Sequence, residues 1–284
     1  SSAASDVYKR QIRNKPYKLS KSFQIILSAF FAVFLSITSL VNLQAQNPVA
    51  DSLRNILETE LVDTLKIKTL NHLSRVIRYD KPEEAITVCK SSIELANKIN
   101  YPKGLAEAYY QLSYAYDAKN NGLDSAKIYI EKSIQIAEKI KDYSLLSGCY
   151  SHVAFLEQKL EDQTEAAFKA IEYADKSGDY KRKISALHNL GLIFHIADQV
   201  DNALKYYLQS EALAKEKNYL VELKGTYNNI AIIYSDREDF ETALHYKREA
   251  LKLIDKENYP ILWARNASNL SAGFVDLEMY DSAK

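Results

Sequence analysis

Glycine and proline are scarce, with seven and five copies in 284 residues. So few punctuating residues argue against many short strands joined by tight turns. Cysteine occurs only twice, at Cys89 and Cys149, in segments that the pattern below places in different, non-adjacent helical units. That excludes a disulfide framework, and two ligands without clustered partners cannot fill a tetrahedral metal shell, so buried free thiols are expected. Charge of one sign is missing too: 37 Lys and Arg face 37 Asp and Glu. The balance is uneven along the chain. Residues 1–45 hold six basic side chains against Asp6 alone, which leaves 31 basic and 36 acidic groups beyond them. A mildly acidic body speaks against nucleic acid as the partner.

Long apolar runs are absent apart from one, Phe23 to Leu43. Residues 1–11, SSAASDVYKRQ, precede it and read as a non-native leader with the look of translated linker sequence. From residue 12 the order is a basic segment (Arg13, Lys15, Lys18, Lys21), the apolar run, and then Gln44-Ala45-Gln46, with a small residue near a cleavage point. Residues 12–46 are thus expected to be a signal peptide or, since about 20 apolar residues span a bilayer, an N-terminal membrane anchor. Either way the body is expected to be exported, in the periplasm or cell envelope.

What is present in abundance is helical periodicity. Thr226 to Leu251 carries two apolar stripes at helical spacing, separated by the polar turn Ser235 to Asp239. Two such helices must pack antiparallel, and one hairpin cannot bury its own apolar faces, so neighbours must stack on it. The chain supplies them. A small residue early in each second helix recurs at Ala85, Ala126, Ala166, Ala203, Ala243 and Ala283, at spacings of 41, 40, 37, 40 and 40. Upstream of each lies an apolar residue followed by a small one: Leu73-Ser74, Leu112-Ser113, Val153-Ala154, Leu190-Gly191, Ile230-Ala231 and Leu270-Ser271. Small residues there let helices approach closely. Residues 47–62 are expected to form a capping helix, with Leu53, Ile56 and Leu57 on one face, and 63–284 an array of six units. The third unit is expected to be short by three residues in its second helix and disturbed at Glu157; the sixth is expected to be truncated inside the turn into its second helix. The unit openings at Tyr101, Tyr143, Tyr180, Tyr219 and Tyr259 follow Asn or Asp, expected helix caps, with Pro102 and Pro260 in the first turn.

Leu190, Gly191, Phe194, Ala203, Tyr207 and Ser210 give the pattern its closest likeness: it resembles the tetratricopeptide repeat. The 40-residue period is similar to the longer repeats of kinesin light chains and bacterial peptide-sensing regulators, and to exported repeat regions of Bacteroidota signalling proteins. The resemblance implies an all-α fold, a right-handed α-solenoid of helix hairpins with a concave groove.

No phosphate loop, zinc-protease helix or nucleophile elbow occurs, and no catalytic constellation, cofactor or metal site is expected. His188 and His195 share a helix face without a third ligand. One polar column stands out, in the residue just before each apolar one: His72, Gln111, His152, Asn189, Asn229 and Asn269, with His188 and Asn228 beside it. All can donate and accept hydrogen bonds. The resemblance implies that these residues hold the backbone of an extended peptide in the groove; the alternative is that they fix repeat packing by inter-helix hydrogen bonds. The expected function is therefore a non-catalytic exported scaffold for a peptide or protein ligand. The alternative is the extracytoplasmic sensor region of a membrane signalling protein with a kinase or helix-turn-helix domain.

Overall fold

The computed structural model describes residues 47–254 together with 256, 257, 263, 264, 266–268, 270 and 271. The chain forms two compact units, residues 1–52 and 53–284. Of the first, residues 47–52 are described and begin helix α1 (Pro48–Leu57). The leader, the apolar run, Tyr259, Pro260, Asn269 and Ala283 lie outside the described residues. Among the described residues no helix is long and apolar enough to cross a membrane.

Among the residues described up to 254, ten further α-helices follow as five antiparallel hairpins: α2 (Asp63–Ile77) with α3 (Pro82–Lys98), α4 (Pro102–Asp117) with α5 (Leu123–Lys139), α6 (Tyr143–Leu156) with α7 (Leu160–Ser177), α8 (Tyr180–Ile196) with α9 (Val200–Glu216), and α10 (Leu223–Asp236) with α11 (Phe240–Lys252). Each helix packs on its sequence neighbour, and the first helices α2, α4, α6 and α8 also touch one another in series. Among the described residues the second helices make no comparable contact with each other. Such a stack is an α-solenoid with the first helices along its inner face. Apolar clusters straddle the hairpins, as where Ile184 of α8, Ala214 of α9, Leu223 and Tyr227 of α10 and Ala250 of α11 meet. Fully buried Leu112, Leu190 and Ile230 each contribute roughly 1.5–3 kcal/mol by leaving water.

The expected small residues are where helices press closest. Ser74, Ser113, Ala154, Gly191 and Ala231 are all buried. At Gly191 a Cβ would sit 2.6 Å from the Tyr207 ring. Ala85, Ala126, Ala203 and Ala243 are buried as well, each with its backbone N–H closing the first hydrogen bond of its helix.

The third hairpin corrects the expected alignment. There the equivalent first hydrogen bond belongs to Gln163, not Ala166. Buried Ala167, Ala170 and Ala174 then repeat the places of Ile130, Ser133 and Ala137 and of Tyr207, Ser210 and Ala214. So the three missing residues lie before the second helix rather than within it. Helix α6 stops at Leu156, two residues past Ala154, whereas α8 and α10 run five past Gly191 and Ala231. Glu157 is thus not a helical core position; it leaves the helix with extended backbone and pairs with Lys127 at 2.8 Å.

Capping also differs from expectation. Asp142 and Asp179 cap their helices through side-chain bonds to the backbone N–H of Leu145 (3.0 Å) and Arg182 (3.1 Å), and Asp239 does the same for Thr242 (3.1 Å). Asn100 and Asn218 instead adopt left-handed φ of 52° and 59° to end the preceding helix, a conformation Asn tolerates. In α1, Leu53 is buried and Leu57 half-buried, but Ile56 is exposed; Arg54 bonds Glu84 of α3 at 2.7 Å. Both cysteines are free and buried, each beside a serine hydroxyl, Ser74 at 2.9 Å and Ser133 at 3.3 Å.

Candidate functional site

The polar column divides when its neighbours are placed around it. His152 is buried at 1% exposure and stacks on the Tyr114 ring, its Nε2 without a partner. Burial, with the Arg78 charge second, draws its pKa down to about 3, so the ring is neutral. Gln111, 9% exposed, accepts a hydrogen bond from Arg78 at 3.2 Å. Both are therefore engaged between helices. Asn189 and Asn229 are half-buried, as are His188 and Asn228. The His188 Nδ1 hydrogen-bonds with the Thr226 hydroxyl at 3.0 Å, and burial takes its pKa to about 4. Asn228 donates to Asn266 at 3.2 Å, tying α10 to the helical residues beyond Trp263. Asn229 lies near Tyr207, whose phenol pKa is raised by burial and lowered in turn by this amide.

His72 is half-buried and opens on a pocket of about 290 Å³ that the column alone does not reveal. From α2 it takes Lys68, Asn71, His72 and Arg75, and from α4 Lys103, Glu107, Tyr110 and Gln111. The next two hairpins add Asp142, Ser144 and Leu145 at the start of α6, and Arg182 of α8. Side chains from four successive hairpins thus meet in one concavity.

How Arg182 reaches so far back follows from one glycine. Its guanidinium and the Tyr110 hydroxyl lie over Gly148 of α6, where a Cβ would fall 2.8 Å from a guanidinium nitrogen and 3.1 Å from the phenol oxygen. Any larger residue in α6 would close that passage. Asn71 is committed to the framework: it donates to the Gly104 carbonyl at 3.3 Å and accepts from the Ser92 hydroxyl at 2.7 Å. Asp142 pairs with Lys103 at 3.0 Å while capping α6. Burial holds the Glu107 carboxyl above its usual range, opposed by Lys103. Lys68 and Arg75 enter no ion pair with a described residue, so the pocket presents surplus positive charge. Sequence reasoning missed Lys68, Arg75 and Arg182, which lie outside the column.

Among the described residues no group of three His, Cys, Asp or Glu side chains is placed to hold a metal. Nor, among them, does a cysteine stand ready as a nucleophile: Cys149 is buried and its thiol is pushed up to about 12 by burial.

Two segments match the Tetratricopeptide repeat family, residues 106–140 and residues 182–256. Over 147 residues the chain is 22% identical to the Response regulator aspartate phosphatase A of Bacillus subtilis (strain 168), covering 52% of this chain and 37% of that protein. The chain thus spans little more than a third of this relative's length. Among solved structures, BtubC (BKLC) from P. vanneervenii superposes with a TM-score of 0.60 at 19% identity, covering 71% of this chain and 86% of that one. A Rap protein complexed with Competence and Sporulation Factor gives 0.57 at 13%, covering 82% and 66%. At these identities the structures speak to the fold alone. Residues 106–140 and 182–256 are thus tetratricopeptide repeats by their family matches, and the other described hairpins repeat the same helical pattern.

Proposed function

We propose that this protein is an exported scaffold that binds an extended peptide or protein segment along its first helices and performs no chemistry itself. The observation that carries this reading is the pocket to which α2, α4, α6 and α8 all contribute. A face that gathers side chains from successive repeats suits a ligand running across them, with hydrogen-bonding side chains along its path. Asn189 on α8 and Asn229 on α10 keep part of their surface exposed and can continue that path. The Rap protein solved with Competence and Sporulation Factor offers a fold-level precedent for a regulatory ligand. Export rests on the basic-then-apolar order of residues 12–46, and N-terminal sequencing of the cell-envelope fraction tests it.

The groove assignment is tested by selecting a random peptide display library on the full chain. Enrichment that persists in the double variant Asn189→Ala, Asn229→Ala, but disappears after surface changes on α5 and α9, would refute it.

A further inference from the structure

The inner face is not uniform along its length. At α2 it is cationic: Lys68 and Arg75 are exposed and enter no ion pair with a described residue, and Arg182 joins them through the gap over Gly148. Two residues after the apolar position of α2 comes Arg75, which lines the pocket and so marks that place as inward-facing. In the later first helices the same place holds Tyr114, Phe155, Leu192 and Ile232. Tyr114 is covered by stacking on His152. Phe155 and Ile232, however, are 40% and 47% exposed, and Ile196, one turn beyond Leu192, is 75% exposed. The face therefore changes from cationic at α2 to apolar at α6, α8 and α10.

We infer that the ligand of this face is an extended peptide with an acidic block and an adjoining apolar block, the acidic block over Lys68 and Arg75 and the apolar block over Phe155, Ile196 and Ile232. The inference rests on the peptide-binding reading above and adds composition and order to it. Charge complementarity selects the first block: the pocket's surplus is positive although the chain beyond residue 45 is net acidic, so the positive patch is local. The length fits as well. Neighbouring helices stand about 9 Å apart, so α2 to α10 is about 36 Å, or roughly eleven extended residues. A peptide of ordinary length can reach both blocks at once, and each alone would hold it weakly.

The test uses the full chain and fluorescein-labelled twelve-residue synthetic peptides, read by anisotropy. One pair carries a Glu/Asp block and a Leu/Phe block in both orders; a second has the same composition alternating; a third replaces the acids by Lys. The expected result is that one block order binds at least tenfold tighter than the alternating and Lys peptides, with affinity falling as salt rises. Lys68→Glu with Arg75→Glu should cut that affinity at least tenfold and favour the Lys peptide; Phe155→Ser with Ile232→Ser should cut it similarly. These side chains are exposed, so unchanged helical circular dichroism separates lost binding from lost fold. Equal binding of the alternating or Lys peptides, or indifference to the charge reversal, overturns the inference. If library selection yields groove-dependent peptides of another composition, the inference falls and the scaffold reading stands; if it yields none, the scaffold reading falls first.

Discussion

The imidazole of His152 lies on the Tyr114 ring with 3.6 Å between centroids and 17° between planes, and the Arg78 guanidinium stands 4.1 Å from the same centroid. A ring stacked that closely fills one face of the phenol and leaves the other to the cation, so three side chains, from the end of α2, from α4 and from α6, form one stack. Protonating His152 would place a second cation beside Arg78. The folded chain keeps the ring neutral, with a pKa of about 3, and keeps His188 neutral, with a pKa of about 4.

Stability should therefore fall in acid. Both folded pKa values are below the ordinary histidine value of about 6.5, so the unfolded chain takes up protons that the folded chain refuses. The contribution is whole above about pH 6.5 and is withdrawn as pH falls toward about 4 and then about 3. A tenfold difference in proton affinity between the folded and unfolded chain is worth about 1.4 kcal/mol, so the loss is on the order of a few kcal/mol. Urea midpoints at pH 7.5, 6 and 5 should decline in order, and His152→Gln should flatten the decline; midpoints constant from 7.5 to 5 would contradict the buried-neutral assignment.

At Tyr207 the ring and the hydroxyl have opposite values. The ring is fully buried against Gly191, whereas the hydroxyl is buried with only the Asn229 amide near it and makes no hydrogen bond of good geometry. Tyr207→Phe should leave the melting temperature unchanged or raise it, because a desolvated hydroxyl is removed. Tyr207→Ala should cost about 3–5 kcal/mol. Gly191→Ala should cost about 1–3 kcal/mol, since its Cβ meets a ring with no room to withdraw.

Thiol chemistry offers a third check. Burial pushes both Cys89 and Cys149 up to about 12, so neither supplies thiolate at neutral pH. An aromatic disulfide reagent should titrate no more than a trace in the native chain at pH 8 and both thiols in guanidinium. Rapid native labelling of either would mean that its helix opens far more often than its packing implies.

Asp179 holds two partners, the backbone N–H of Arg182 and the Ser144 hydroxyl at 2.7 Å, and so joins the start of α8 to α6. Asp179→Ala should lower stability by about 1–2 kcal/mol in chemical denaturation. Asp239→Ala, at an exposed cap with the same backbone bond, should cost less.

The fold was legible because its signal is a repeated one. The alanines and the small residues before them recur at helical-hairpin spacing, and in the first five units they are buried as the spacing required. Ala166 misled because it precedes another alanine: in the sequence it continues the series, whereas Gln163 occupies the place and donates its amide to the Glu157 carbonyl at 2.9 Å. The site was less legible. His152 and Asn189 hold the same place in successive units, yet one is sealed under Tyr114 and the other is half-exposed, since what covers a side chain belongs to another helix. Arg182 escaped notice for a related reason: its approach to Tyr110 crosses a whole hairpin and depends on Gly148 having no side chain.

The early end of α6 has a consequence for anything lying along the inner face. Relative to α8 and α10 it lacks three residues at its C-terminal end, about 4.5 Å of helix. The wall of the groove is lower there than at the hairpins that follow. For a ligand bound as proposed, this notch would be a sideways exit between gripped stretches, which would admit an internal stretch of a folded protein as well as a free peptide end.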